Sequence, residues 1–208
     1  DTPGFFDFAG EVQGALRGVE AAAILVDASS GIQVGTEKAW DLCEEYKLPR
    51  IIFVTNMDDD HASFRELILK LEKKFGRKIA PFQVPIRENE KFVGYVNVVK
   101  MAGRRFTNLS DYEECEIPDY SQKNLGIARD ALLEAVAETS EEYMERYFSG
   151  EEFTLEEIQG ALREHVIDGS IVPVLMGPGA NCQGFKTLLQ VIDRYLPTPD
   201  KFECIGVD

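Results

Sequence analysis

RIIFVTNMDDD, Arg50 to Asp60, is an unbroken apolar run that stops abruptly in an acidic loop. A strand covered on both faces has this form, because side chains on either side of the pleat must avoid water. AAAILVDA, Ala21 to Ala28, and SIVPVLMG, Ser170 to Gly177, are built the same way. Helical patterns lie beside them: GEVQGALRGVE before the first strand, TEKAWDLCEEYK before the second and FRELILKLEKKFG after it. FKTLLQVIDRYLPTP follows the third and stops at Pro197. Alternating helix and strand specifies an α/β domain with a parallel sheet, here of three visible core strands.

The middle of the chain breaks that rhythm. Residues 79–106 alternate as antiparallel strands do, with a turn at ENEK, Glu88 to Lys91. An acidic loop follows, and then one long helix is expected from about Leu125 to Phe148. Thr154 with Glu157 three positions later has capping-box spacing and opens a further helix. The expected organisation is therefore an α/β domain over 1–78 and 166–208, split by an α+β insert over 79–165.

Composition excludes several classes. There are 22 basic against 37 acidic residues, a net charge of −15, which argues against binding bare nucleic acid. No apolar run reaches the ~20 residues of a membrane helix. No membrane association is expected, and the location expected is the cytoplasm. Cys43, Cys115, Cys182 and Cys204 form no C-x-x-C pair, so they read as reduced thiols and not as a zinc site. His61 and His165 lack a neighbouring Cys or nucleophile pattern and read as structural or solvated.

In open α/β sheets, ligands bind at loops beyond the carboxyl ends of the strands. Those loops are DASSG, TNMDDD and GPGANCQG, and DTPG at Asp1 to Gly4 is a fourth if a strand precedes it. Alone, D-x-x-G reads as a four-residue turn. Here it precedes a helix, then a strand ending in D-A, then a strand ending in T-N-M-D.

At that point the chain resembles translational GTPases, specifically the GTPase domain of elongation factor G. The residues that carry the resemblance are DTPGFFDFAGEV, ILVDASSGIQVGTEKAW, YKLPRIIFVTNMD and YLPTP. FVGYVNVVKMAGRRF, SEEYMERYFSGEEFTLEEIQGALR and IVPVLMG follow the order of that family's inserted subdomain. The resemblance implies a truncated P-loop GTPase-type sheet plus an inserted α+β subdomain. It also implies GTP or GDP and Mg²⁺ as cofactors of the intact parent, and hydrolysis of GTP on the ribosome during translocation. Asp1 would hold Mg²⁺ through water, and the Gly4 amide would meet the γ-phosphate.

Three departures stand out. Phe5 occupies the position usually held by His, and a phenyl ring cannot orient an attacking water, so no catalytic residue is assigned. The base-recognition motif N-K-x-D lacks its Lys in either register: Thr55-Asn56-Met57-Asp58, which the strand length favours, or Asn56 through Asp59. Asp58, Asp59 and Asp60 also suit the start of a helix. At the third base-contacting loop Pro178 has no amide proton, so that contact falls to Gly179 or Ala180.

No G-x-x-x-x-G-K-[ST] phosphate loop occurs in the 208 residues. The chain reads as a fragment cut just after a third strand, with no GTP affinity measurable by calorimetry and no bound cofactor of its own. The free edge of strand Ala21 to Ala28 carries a hazard of self-association.

Asp130, Glu134, Glu138, Glu141 and Glu145 fall within an arc of about 80° on the expected long helix. A solvated face is the plain reading; docking to a basic protein surface is the other. The resemblance implies the ribosomal stalk protein as the partner there. Alternatives to an elongation factor are a ribosomal protection GTPase of the tetracycline-resistance type and a degenerate, non-enzymatic ribosome-docking module.

Overall fold

The computed structural model describes Thr2 and residues 6–89, 91–108, 111–178 and 183–198. In chain order the first elements are α1 (Ala9–Leu16), β1 (Ala22–Asp27), α2 (Val34–Glu45), β2 (Arg50–Thr55) and α3 (Phe64–Phe75). Then come β3 (Ile79–Pro81), β4 (Gln83–Glu88), β5 (Lys91–Asn97), β6 (Ala102–Phe106) and β7 (Tyr112–Cys115). The remainder is α4 (Gln122–Ala137), α5 (Glu141–Ser149), α6 (Leu155–His165), β8 (Val172–Met176) and α7 (Phe185–Tyr195).

A parallel sheet runs in the order β1-β2-β8-β3, and an antiparallel sheet in the order β4-β5-β6-β7. The mixed α/β class is as expected, with one correction. The parallel sheet has a fourth strand, β3, which sequence alternation assigns to the antiparallel region. One extended segment serves both sheets. The Phe82 amide donates to the Val174 carbonyl, while the Phe82 carbonyl accepts from the Val98 amide. Next to it, Gln83 Oε1 accepts from the Met176 amide at 2.7 Å. Pro81 and Pro85 lie on edge strands, where a missing N–H breaks few rungs.

β2 and β8 are buried along almost their whole length, as continuous apolar strands should be. β1 differs from expectation. Ile24 and Val26 face the core, but Leu25 on the opposite face is 63% exposed. The cause is position: β1 is an edge strand, paired only with β2 among the described residues.

The expected long helix is two helices. Glu138 closes α4, and Ser140 takes an extended conformation (φ −152°, ψ 154°) while its hydroxyl accepts from the Tyr143 amide. A serine that caps a new helix competes successfully with continuation of the old one. α4 buries Leu125, Ala128, Leu132, Ala135 and Val136 and packs on β3 and α3. The capping box at Thr154 and Glu157 is present. The Arg146 guanidinium, with the Thr154 amide and hydroxyl, pulls the Glu157 carboxyl down to about 2. At the lower end of β2, Trp40 stacks on Phe75 with ring centroids 4.0 Å apart. The buried Arg50 guanidinium lies over that indole and reaches Glu44.

Candidate functional site

The loops that leave β1 and β2 are joined by one carboxylate. Asp27 Oδ1 accepts from the Ser30 amide at 2.8 Å, the Ser29 amide at 3.1 Å and the Ser29 hydroxyl at 2.7 Å. Its Oδ2 accepts from Asn56 Nδ2 at 2.7 Å. The Ser30 amide first, then the Asn56 side chain and the Ser29 hydroxyl, hold the Asp27 carboxyl far below the usual carboxylate range. Asn56 itself has φ 56°, a left-handed conformation that asparagine tolerates better than most residues.

Beyond Asn56, the side chains of the loop divide sharply. Met57 is 1% exposed and serves as the anchor of the loop. Asp58 is exposed, and among the described residues nothing holds its carboxylate. Asp59 is occupied, since its Oδ1 accepts from the His61 amide at 2.7 Å. Thr55 is half-buried, with its hydroxyl 3.5 Å from the Val26 carbonyl. Of Asp58 and Asp59, the first is thus the exposed and unengaged carboxylate and the second the engaged one. Met57, which stands at the Lys position of the register Asn56 through Asp59, is buried in the core.

Sequence reasoning missed the device that shapes this loop. Arg87, on β4, donates to the Met57 carbonyl at 2.7 Å and to the Asp59 carbonyl at 2.6 Å. A longer bond of 3.4 Å reaches the Ala62 carbonyl. Arg87 in turn gives its own carbonyl to the Tyr120 hydroxyl at 2.8 Å. The antiparallel sheet thus fixes the backbone of a loop on the parallel sheet. No spacing in the sequence announces this, because the acceptors are main-chain carbonyls that any residue would supply.

The third loop leaves β8 through Gly177 and returns through Gly184. A Cβ on Gly177 would sit 2.6 Å from the Gln183 carbonyl oxygen, so the neck of the loop closes only without a side chain. Pro178 and Gln183 line a hollow of about 520 Å³ shared with Asp58, Lys91, Phe106 and Arg105. Arg105 is held there by an ion pair with Glu88. The ends of β2 and β8 therefore open on one space. Gly179 and Ala180, the expected third-loop contacts, and Asp1, Gly4 and Phe5 lie outside the described residues. Among the described residues no group of three His, Cys, Asp or Glu side chains could hold a metal ion.

The expected carboxylate stripe does not form one face. Asp130, Glu134 and Glu138 belong to the α4 end, Glu141 and Glu145 to α5, and the chain turns between them. Glu138 pairs with Arg77 at 3.5 Å. Glu134 is half-buried and faces α5: burial first, then the charges of Glu134 and Asp130, push the Tyr147 hydroxyl upward. Glu141 and Glu145 are exposed.

Residues 1–198 match the family described as the elongation factor Tu GTP binding domain. Over 201 residues the chain is 38% identical to elongation factor G of Thermotoga neapolitana, covering 96% of this chain and 29% of that protein. A crystal structure of a protein from Thermus thermophilus aligns with a TM-score of 0.84 at 36% identity, covering 97% of this chain and 30% of that one. The chain spans less than a third of the length of these relatives.

Proposed function

The chain belongs to the family of elongation factor Tu GTP-binding domains, and from that premise we propose that it is the guanine-recognising part of an elongation factor G-like translational GTPase. The observation that carries the proposal is the unengaged Asp58 carboxylate, which opens on a hollow shared with Pro178 and Gln183. A carboxylate there can accept from both N–H groups on one edge of guanine. Adenine presents a different pattern on that edge, so Asp58 sets the choice of base.

Asp27, Met57 and Arg87 position Asp58 and do not themselves bind. Asp27 fixes Asn56, Met57 anchors the loop in the core, and Arg87 holds its carbonyls. Thr55 and Asn56 border the base, and Gly179 and Ala180 offer amides to it from the third loop. In the whole protein, Mg²⁺ held near Asp1 would neutralise charge on the phosphates, with the Gly4 amide at the γ-phosphate. No catalytic role falls to Phe5, whose ring can neither donate nor accept a hydrogen bond.

The G domain comprises 1–78 and 166–208, and 79–165 is its insert, with β3 at the boundary serving the parallel sheet. Acting in the cytoplasm, the whole protein hydrolyses GTP on the ribosome during translocation. The exposed Glu141 and Glu145 on α5, and separately Asp130, Glu134 and Glu138 from α4 and its end, offer acidic contacts to a ribosomal stalk protein. Because Phe5 lacks the chemistry of His, a second reading is a nucleotide-binding, non-hydrolysing ribosome-docking module.

In the protein that contains this chain, Asp58→Ala should weaken GDP about 10- to 100-fold, the loss of ~1–3 kcal/mol for a buried polar edge left unpaired. Asp59→Ala should change affinity by no more than about 3-fold. Equal losses from both variants would reject the assignment. Ribosome-stimulated release of phosphate separates the enzyme from the docking module.

A further inference from the structure

A hollow of about 190 Å³, which shares no lining residue with the Asp58 hollow, lies between β5, β6, α6 and α7. Its floor holds Arg104, which is 7% exposed. One guanidinium nitrogen donates to the Tyr95 hydroxyl at 3.0 Å, and that hydroxyl also bonds Thr187 at 2.5 Å. The guanidinium carbon lies 4.3 Å from the centre of the Tyr112 ring. Arg104 Nε is buried and has no partner among the described residues.

All these neighbours are neutral. Among the described residues no carboxylate comes within ion-pair distance of Arg104, although Glu114 stands directly across from it on β7. A buried cation without a counter-charge is costly, because desolvation is not repaid by any attraction. Lys100 and Arg194 add two further cations at the wall, against the single carboxylate of Asp193. Neither of the two forms an ion pair among the described residues. In a chain of net charge −15, this concentration of positive charge runs against the general field.

We propose that the hollow binds a small oxyanion, a phosphate group or a carboxylate. Arg104 supplies the buried charge at the floor, and Lys100 and Arg194 close on the ligand from the wall. Tyr95 and Thr187 hold the guanidinium in place at the lining of the hollow. The volume suits an anion of a few heavy atoms, and the site is separate from the Asp58 hollow.

The test is a nuclear magnetic resonance titration of the 208-residue chain with inorganic phosphate, and separately with succinate, at constant ionic strength. Saturable shifts are expected at Arg104, Lys100 and Thr187, with a Kd on the order of 1 mM for the better anion. Whichever anion saturates at the lower concentration identifies the chemistry as phosphate or carboxylate. The double substitution Lys100→Gln and Arg194→Gln, both at exposed positions, should weaken binding about 10-fold or more and leave the rest of the spectrum unchanged. Arg104→Lys keeps the charge but loses the fork, and should weaken binding too. Shifts that never saturate with either anion, or that survive the double substitution, would overturn the proposal. So would shifts confined to Asn56 and Asp58.

Discussion

Asp27 carries more of the site than its own loop requires. Four donors converge on its carboxylate, one of them from Asn56 on the next strand. Because folding lowers its pKa, its contribution is complete above the unfolded value, ~3.9, and is lost as the pH falls below it. Asp27→Ala should therefore cost about 1–2 kcal/mol at neutral pH, and the difference from the parent should shrink as the pH drops below about 3. Urea unfolding at the two pH values checks this, and a pH-independent difference would contradict it. The site was only partly legible at this scale. Asp58 could be found because the length of β2 fixes where the loop begins. Asp27 was visible as a loop residue without a role, and Arg87 was invisible because it acts on carbonyls across the two sheets.

Among the elements, the long apolar strands and amphipathic helices could be read directly, since periodicity and burial coincide in them. β3 could not, being three residues long and continuous with β4, so that the alternation of the longer strand masks it. The join between α4 and α5 was hidden for a related reason: helical spacing carries across it, and only the Ser140 cap ends the run. Where two backbones touch, the sequence marks the spot with glycine. A Cβ on Gly94 of β5 would lie 2.1 Å from the Arg104 carbonyl oxygen on β6. Gly94→Ala should push β6 away, lowering stability by about 1–3 kcal/mol and loosening Arg104 at the floor of its hollow. Thermal unfolding with amide exchange over Ala102–Phe106 would show it; unchanged protection there would contradict the close contact.

At the scale of the whole molecule, β1 is the edge of the parallel sheet among the described residues, with Leu25 exposed on one face. On α7, Phe185, Leu189 and Ile192 are also partly exposed, and Phe185 stacks on Phe53 next to Leu25. Apolar surface beside unpaired strand amides favours association. Sedimentation should show the chain self-associating as concentration rises and Leu25→Lys reducing it; a monomer at every concentration would contradict this. The fold class was legible because strand–helix alternation is a property of the entire chain, whereas the shared hollow depends on two loops more than a hundred positions apart. The central claim is that this hollow selects guanine. The most direct measurement compares amide shifts of the 208-residue chain with millimolar GDP and ADP, in a range too weak for calorimetry. GDP alone should move Asn56, Met57, Asp58 and Gly177, and Asp58→Ala should abolish the difference. Identical responses to the two nucleotides, or shifts that avoid these loops, would contradict it.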